Sequence, residues 1–457
     1  MSESARVLKL QREFFCSGAT LPVEGRKVAL HRLLNAVTAR ETEILAALQQ
    51  DLGKAPMEGY VTEVGIVKAE IRTAMKHLAD WARPRMVSTP LTLLPAVSKI
   101  YPEPYGVVLV QSPWNYPFQL CIAPVAGALA AGNCVMVKPS SSAPATAAVI
   151  EKLIGDVFEE RYVHVLKAGG DSHEEILAEA YDYIIFTGSQ RVGRVVMEAA
   201  AKHLTPVTLE LGGKSPCIVE ESADIPLAAK RIAFGKFLNA GQTCVAPDHV
   251  LVQSSIKEAF VRELTEAILS LYGPEPLHSP DLPKIINAHH FKRLVGLIEG
   301  QKVAAGGVWD EEKRKIAPTV LVDVTDDAPV MQDEIFGPVL PVLTFNTLQE
   351  VVERQQALPK PLALYLFTRN PAAERKITGR ISYGGGCIND TVMHLANDNL
   401  PFGGVGASGM GAYHGKASFE TFSHYKSVLK KANIFDLPQR YAPYTQEAFA
   451  FIKKFMK

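Results

Sequence analysis

The chain has little that would tie it to a metal ion, a disulfide framework or a polyanion. Its six cysteines are scattered through 457 residues, and no two of them form a Cys-x-x-Cys pair. This excludes the usual zinc spacings and disfavours disulfides, so we expect no metal, free thiols and a cytoplasmic location. Lysine plus arginine equals aspartate plus glutamate at 48 each, so no excess charge would attract nucleic acid.

The chain also lacks a long apolar run. Its most apolar stretch, residues 120–137, contains Pro124, Gly127 and Gly132, which is typical of a buried helix followed by a strand rather than a membrane span. The first residues show no secretory signal. An apolar content of 47% with 21% charged residues is ordinary for a globular protein, and the length suggests about three domains.

Strand and helix patterns alternate from residue 105 onwards. Apolar strands are predicted at 106–111, 134–138, 163–167, 183–187 and 207–211, with helical patterns between them. Such alternation predicts a parallel, doubly wound α/β sheet that gathers ligands at the carboxyl ends of its strands. A second alternating region, with strands near 250–253, 319–322 and 362–368, predicts a second α/β domain.

Two further segments, residues 86–104 and the tail from residue 425, do not fit this alternation. The first is rich in Thr, Val, Leu and Pro without helical periodicity, which predicts an extended arm. We therefore expect two doubly wound α/β domains with a small oligomerisation element. The expected bounds are 1–85 with 105–209 for a Rossmann-like nucleotide-binding domain, 210–400 for a catalytic domain, and 86–104 with 425–457 for the oligomerisation element.

Polar residues follow the strands at which a nucleotide would lie. Lys138 ends one strand, and Gly188, Ser189 and Gly193 lie where a second strand turns into a helix. Glycines let backbone amides approach a pyrophosphate, and a helix N-terminus favours negative charge. The spacing is not the Rossmann Gly-x-Gly-x-x-Gly, and a helix cap explains the loop alone equally well. Together with Lys138, the loop predicts dinucleotide binding.

A thiol and a carboxylate are the residues best suited to chemistry. Cys244, in a Gly-Gln-Thr-Cys turn, is open to attack a carbonyl, and Glu210 ends an apolar strand as a base able to activate water. Asn115, between two prolines, is either an oxyanion donor or a turn residue. Glu334 is either a functional carboxylate or an ordinary charged residue of a loop. Whether Cys387 has a function stays open.

Seven motifs, taken in order, then resemble the aldehyde dehydrogenase superfamily, most closely its class 3 branch of shorter, dimeric enzymes for fatty or aromatic aldehydes. The resemblance runs from about residue 5 to the end of the chain. The motifs are Pro-Trp-Asn-Tyr-Pro (113–117), Val-Lys-Pro-Ser (137–140), Phe-Thr-Gly-Ser (186–189), Leu-Glu-Leu-Gly-Gly-Lys-Ser-Pro (209–216), Gly-Gln-Thr-Cys (241–244), Glu-Ile-Phe-Gly-Pro (334–338) and Pro-Phe-Gly-Gly (401–404).

The resemblance implies an NAD(P)-dependent aldehyde dehydrogenase that forms a homodimer and oxidises aldehydes to carboxylic acids. It implies that Cys244 is the nucleophile that forms a thiohemiacetal and a thioester, that Glu210 is the base that activates the hydrolytic water, and that Asn115 belongs to the oxyanion hole. The implied cofactor contacts are Lys138, Ser141, Gly188, Ser189, Gly193, Glu334 and Phe336. The implied substrate tunnel, suited to medium or long aliphatic or aromatic aldehydes, is lined by Tyr116, Phe234, Leu238, Met393 and Phe402.

One position departs from the family pattern. NAD-using members commonly carry a glutamate where this chain has Ser141, and that carboxylate repels a 2′-phosphate. We therefore expect NADP to be accepted beside NAD, with Arg191 as a further phosphate contact. Among competing functions, Glu210 argues against a CoA-acylating enzyme, and no histidine motif supports a cysteine hydrolase. A non-catalytic protein is disfavoured because both Cys244 and Glu210 are present.

Overall fold

The computed structural model describes residues 2–455. Residues 1, 456 and 457, which belong to the expected nucleotide-binding and oligomerisation elements, lie outside the described residues. The α-helices are α1 (Glu3–Cys16), α2 (Val23–Ala39), α3 (Glu41–Leu52), α4 (Pro56–Gly59), α5 (Gly65–Trp81), α6 (Gln119–Ala131), α7 (Pro144–Val157), α8 (His173–Ala178), α9 (Gln190–Ala201), α10 (Ile225–Phe237), α11 (Lys257–Tyr272), α12 (Ala288–Ile298), α13 (Pro329–Gln332), α14 (Leu348–Ala357), α15 (Pro371–Arg380), α16 (Lys416–Thr421) and α17 (Gln446–Phe455).

The strands match several of the predicted bounds residue for residue. They are β1 (Arg85–Val87), β2 (Ala96–Pro104), β3 (Val107–Gln111), β4 (Cys134–Lys138), β5 (Val163–Val165), β6 (Tyr183–Thr187), β7 (Val207–Glu210), β8 (Pro216–Val219), β9 (His249–Gln253), β10 (Lys302–Ala305), β11 (Trp309–Asp310), β12 (Lys315–Ile316), β13 (Thr319–Val322), β14 (Val339–Phe345), β15 (Ala363–Phe367), β16 (Gly385–Ile388), β17 (Gly409–Met410) and β18 (Ser423–Lys431).

The first sheet has six strands in the order β17-β7-β6-β3-β4-β5. It is parallel except at β17, which runs antiparallel to β7. Alternate side chains divide between its two faces: Val108 and Val135 pack with helices α2, α5, α6 and α7, whereas Leu109 and Met136 pack with α1, α8 and α9. Both faces are covered by helices, which confirms the predicted doubly wound α/β fold.

The second sheet has seven strands in the order β10-β13-β14-β9-β8-β15-β16, parallel except at β10. Its buried apolar side chains form one core on each face. The loops that precede these strands approach the first sheet: Glu334, before β14, and Pro361, before β15, lie next to Gly212 and Gly213, which follow β7. Within residues 2–455, no helix is long and apolar enough to cross a membrane.

The third sheet joins two distant segments, since it has the order β1-β2-β18 and is antiparallel throughout. The segments expected at 86–104 and from 425 therefore lie side by side, with nine residue pairs between β2 and β18.

The glycine-rich segment 401–415 is not the surface connector that its composition indicates. It returns to the first sheet as β17, where Gly409 pairs with Glu210. Glu210 is the last residue of β7 (Val207–Glu210), so this strand includes residues from both sides of the domain boundary expected between 209 and 210.

Candidate active site

The loop that carries Cys244 is held in an unfavourable backbone conformation. After α10 ends, Asn239, Ala240 and Gly241 have φ values of 52°, 51° and 73°. A left-handed conformation costs an ordinary residue about 1–2 kcal/mol, so surrounding contacts must hold this turn in place. A Cβ at Gly241 would lie 2.2 Å from the carbonyl oxygen of Gly337, and only glycine fits there. The turn presents Cys244 to the space between the two large sheets.

Cys244 is half-buried and packs against the apolar core that contains Tyr116 and Phe402. Burial raises the pKa of its thiol to about 12, and the nearby carboxyl groups of Glu334 and Glu210 add to this rise. The backbone N–H groups of Cys244 and Val245 act in the opposite direction. The thiol is therefore protonated at neutral pH and lies within electrostatic reach of both carboxyl groups.

Glu210 is 2% exposed at the end of β7. Neither of its carboxylate oxygens has a hydrogen-bond partner among the described residues, and burial raises its pKa well above the usual range. A buried carboxylate without a partner is a strong base once it is ionised, because nothing but water stabilises its charge. Glu210 thus has both free acceptor positions available for a water molecule.

Asn115 is buried beside the nucleophile loop. Its side-chain Nδ2 donates to the carbonyl oxygen of Gln242 at 3.0 Å, which leaves one of its two N–H bonds available to another acceptor. The following residue, Tyr116, forms a 2.6 Å hydrogen bond with Thr243, the residue before Cys244. Asn239 Nδ2 also donates to the carbonyl oxygen of Asn115 at 2.8 Å, so three direct hydrogen bonds join the loop 113–117 to the nucleophile loop.

The predicted ribose contacts lie at the carboxyl ends of β3 and β4. The half-buried ammonium of Lys138 has no hydrogen bond or ion pair within the described residues, and burial lowers its pKa. Its register partner Gln111 is 4% exposed, and its Nε2 has no hydrogen-bond partner there. Unpartnered donors of this kind fit the hydroxyl or phosphate oxygens of a nucleotide. Ser141 lies exposed in the turn that follows.

The predicted pyrophosphate loop caps α9. Ser189 accepts a hydrogen bond from the backbone N–H of Val192, and Gly188 donates its own N–H to the carbonyl oxygen of Glu210 at 3.0 Å. A Cβ at Gly193 would lie 2.7 Å from Leu211, so glycine lets α9 pack tightly beside the strand end. Ser189 therefore does cap α9. The partly positive N-terminus of this helix lies at the same edge of the first sheet as Lys138.

Glu334 lies near Cys244, and Phe336 lies beside Trp114 in the loop that contains Asn115. The Glu334 carboxylate contacts the backbone of Gly212, since a Cβ there would lie 2.0 Å from its Oε2. Burial raises the pKa of Glu334 to about 8, and the negative charge of Asp248 adds to this rise. Glu334 is therefore not an ordinary solvent-exposed charge in a loop. Phe336 has a left-handed φ of 51° and packs edge-on against Trp114, with ring centroids 5.4 Å apart.

The five predicted tunnel residues divide into two groups. Tyr116 and Phe402 are buried in the core that contacts Cys244, at 8% and 6% exposure. Phe234 and Met393 are 42% and 49% exposed, and Leu238 is half-buried. Helix α10, which carries Phe234 and ends just before Leu238, contacts the segment before Met393 through the Thr391 hydroxyl, which donates to the carbonyl oxygen of Arg231.

Sequence reasoning missed four polar residues behind the site. Lys54, Glu63, Asn239 and Gln242 are all fully or almost fully buried and are bonded to the loops just described. Lys54 and Glu63 lie in an amphipathic region where charges normally face solvent, so composition carried no signal for them. Within residues 2–455, no group of three or more His, Cys, Asp or Glu side chains is placed to hold a metal ion.

Comparison with known proteins shows the family of the chain. The model of the aldehyde dehydrogenase family matches residues 5–428. The 4,4'-diaponeurosporen-aldehyde dehydrogenase of Staphylococcus aureus is 46% identical over 448 residues, 98% of this chain and 97% of that protein. The dimeric NADP-preferring aldehyde dehydrogenase of Rattus norvegicus is 46% identical over 432 residues, 94% of this chain and 95% of that protein. A solved structure, the substrate-bound state of Staphylococcus aureus AldH, superposes with a TM-score of 0.98 at 45% identity, covering 100% of both chains.

Proposed function

The chain belongs to the aldehyde dehydrogenase family, and from this premise we propose that it oxidises long-chain or aromatic aldehydes to carboxylic acids through a thioester on Cys244. It is an oxidoreductase that acts on aldehydes and uses NAD or NADP. The observation that carries the proposal is the buried Glu210 carboxyl group, without a hydrogen-bond partner in the described residues and electrostatically coupled to the Cys244 thiol.

The first step is attack on the aldehyde. The Cys244 sulfur forms a bond to the carbonyl carbon and its proton passes to solvent water, while the electron pair of the C=O π bond moves to the oxygen, which becomes an oxyanion. The free N–H of Asn115 and the backbone N–H of Cys244 are the donors for this oxygen. The product is a thiohemiacetal, in which carbon, sulfur and oxygen are all held by two connected loops.

Oxidation and hydrolysis follow. A bound NAD or NADP would supply the hydride acceptor for the thiohemiacetal carbon; once that hydride is lost, the oxyanion would re-form the C=O bond and Cys244 would carry a thioester. Lys138 and the α9 N-terminus would hold the ribose and the pyrophosphate, and Glu334 and Phe336 would hold the nicotinamide end. Glu210 removes a proton from water, which attacks the thioester carbon. The carboxylic acid leaves and the sulfur regains a proton.

The apolar surroundings of Cys244 support an apolar substrate. Tyr116 and Phe402 belong to the apolar cluster that contacts Cys244, and we propose that the exposed Phe234 and Met393 form the outer part of the tunnel. Burying each CH₂ group of a substrate contributes about 0.8 kcal/mol, so affinity rises with chain length as long as the tunnel accommodates the chain. A relative at 46% identity is named for a 4,4'-diaponeurosporen aldehyde.

Initial rates test the proposal directly. NAD and NADP reduction is measured against aliphatic aldehydes of increasing length and against benzaldehyde. We expect kcat/KM to rise with length, and Cys244→Ala to lose turnover while it still binds cofactor. Cys387→Ala is the matched control, since Cys387 is also a half-buried thiol, and it should retain kcat. Turnover by Cys244→Ala, or the absence of nicotinamide reduction with every aldehyde, would contradict the proposal.

We further propose a homodimer that uses the third sheet. Met86, Leu91 and Leu429 of its segments are 70%, 85% and 48% exposed, which is an unusual amount of apolar surface to leave in water. A relative at 46% identity is named as dimeric. Light scattering during gel filtration should give twice the mass of one chain, and Leu91→Asp should shift the equilibrium towards monomer. A monomeric wild type would contradict this part of the proposal.

A further inference from the structure

A buried ion pair lies behind the oxyanion loop. Lys54 and Glu63 have fully buried side chains, and the Lys54 Nζ lies 2.5 Å from Glu63 Oε1. Removing two charges from water is costly, and a buried pair adds little net stability compared with well-packed apolar side chains. The position of this pair therefore needs another explanation, and its remaining hydrogen bonds indicate one.

Both members of the pair bind the loop that contains Asn115. Lys54 Nζ donates to the backbone carbonyl oxygen of Asn115 at 3.1 Å. Glu63 Oε2 accepts from the backbone N–H groups of Phe118 and Gln119 at 2.8 and 3.1 Å, at the start of α6. The pair thus fixes the peptide of Asn115 and the end of its loop at the same time, with charge-assisted hydrogen bonds.

The same ammonium group reaches the nucleophile side through two connections. It lies 3.9 Å from the ring centroid of Tyr116, whose hydroxyl bonds Thr243, the residue before Cys244. The carbonyl oxygen of Asn115 also accepts from Asn239 Nδ2 at 2.8 Å, and that amide bonds Gln242 as well. The oxyanion donor and the nucleophile loop therefore share one buried hydrogen-bond network.

The backbone around Glu63 is itself unusual. Residues Tyr60–Val64 form a π-helical turn between α4 and α5. Such turns insert an extra residue into a helix and are found frequently at functional sites. Here the turn carries Glu63 beside the start of α6, whereas Lys54 follows α3, which ends at the left-handed Gly53. The π-helical turn and the chain that follows α3 thus bring Glu63 and Lys54 to the same loop, the one that contains Asn115.

We propose that Lys54 and Glu63 are positioning residues for Asn115: they hold the oxyanion donor at the distance from Cys244 that the reaction requires. The inference rests on the proposed thioester mechanism. It predicts a loss in kcat rather than in cofactor binding, because the pair touches neither the predicted ribose nor the pyrophosphate contacts. Misplacement of a reacting group by about 1 Å can cost about 100-fold in rate, so a partial shift should lower kcat by about tenfold or more.

The test compares Lys54→Met, Glu63→Gln and the double variant. Each single change leaves an unpaired buried polar group and should lower the melting temperature. The double variant removes both charges and should recover much of that stability. If the pair positions Asn115, kcat stays about tenfold or more below wild type in the double variant, with unchanged KM for NAD(P). A double variant that recovers kcat together with stability would overturn the proposal.

Lys68→Met is the matched control, since Lys68 is a buried lysine that pairs with Glu41 away from the catalytic loops. It should lose stability and keep its kcat; an equal kcat loss in this control would also overturn the proposal. Hydrogen exchange at the amides of Phe118 and Gln119 gives a readout that needs no turnover. We expect faster exchange in Glu63→Gln and none of that change in Lys68→Met. Unchanged exchange in Glu63→Gln would contradict the proposal that the pair positions Asn115. An inactive wild type in which the Phe118 and Gln119 amides are protected from exchange would contradict only the proposed function.

Discussion

The cofactor side and the catalytic side of the site are built in different ways. The cofactor side, at the strand ends of the first sheet, uses ordinary backbone: within residues 105–209, Leu204 alone among non-glycine residues has a positive φ. The nucleophile loop, in contrast, contains Asn239 and Ala240, both left-handed. Lys138 is half-buried and has no hydrogen bond or ion pair among residues 2–455, whereas burial raises the pKa of both Cys244 and Glu210 and so favours their uncharged forms.

This difference follows from what each side must do. A nucleotide brings its own charge and hydroxyl groups, so binding needs only donors at the correct places. Catalysis needs groups in conformations and protonation states that the isolated chain disfavours, so neighbouring contacts must impose them. We therefore expect changes on the catalytic side to separate activity from stability, and changes on the cofactor side to alter cofactor preference alone.

The largest expected effect is that of Glu210→Gln. The amide keeps the size of the side chain but cannot take a proton from water, so hydrolysis of the thioester should slow by about 100-fold or more. Stopped-flow absorbance should show one burst of NAD(P)H per active site, followed by slow turnover. Folding should be unharmed, because the neutral amide suits a buried site. A variant with full steady-state turnover would exclude Glu210 as the base.

A second prediction concerns Glu58, which accepts the backbone N–H of the left-handed Asn239 at 2.9 Å. Burial raises the pKa of Glu58 from 4.5 to about 7. The folded state then holds a proton that the unfolded state has lost, so stability falls as pH rises from about 4.5 to about 7 and stays lower above it. Glu58→Gln removes this loss and should be more stable than wild type by about 3 kcal/mol at pH 8.

Urea unfolding at several pH values checks this prediction. The stability difference between Glu58→Gln and wild type should disappear towards pH 4.5, where the carboxyl group is protonated in both states. A constant difference in stability across the pH range would show that the pKa of Glu58 is not raised in the folded state. Holding the nucleophile loop would then not require a protonated Glu58.

The third prediction tests the cofactor side. Ser141→Glu adds a carboxylate at the exposed turn after Lys138, and it should repel a 2′-phosphate. We expect kcat/KM for NADP to fall by about tenfold, equivalent to about 1.4 kcal/mol, with little change for NAD or for melting temperature. Ser142→Glu, one residue further along the same exposed turn, is the control. An equal fall for both cofactors would place residue 141 elsewhere than at the ribose.

The smallest expected effect contrasts two alanines. Ala240→Gly relieves a left-handed φ of 51° and should raise stability by about 1 kcal/mol. Ala148→Gly, at an exposed position inside α7, should lower stability by about 1 kcal/mol, because glycine is a poor helix former. Calorimetry of both variants measures the contrast. Two destabilised variants would show that the catalytic loop carries no relievable strain.

Local sequence signals predicted the framework closely. Strands 134–138, 183–187 and 319–322 were expected at the bounds that the structure has, because each is a short apolar run between turn residues. The roles predicted for Cys244, Glu210 and Asn115 from local context stay predictions, although the structure places the three residues near one another. The position of the glycine-rich segment 401–415 was not predicted, since nothing in its composition indicates that Gly409 pairs with Glu210.

The sequence by itself determined the alternating strands and helices and the family, because these depend on periodicity and on short motifs, and it also supplied the predicted catalytic residues. The tertiary structure alone decided which charges are buried. Lys54 and Glu63 are nine residues apart in a region that reads as solvent-facing, yet they meet behind Asn115. Burial and protonation state depend on contacts between segments far apart in the chain, and no local pattern encodes them.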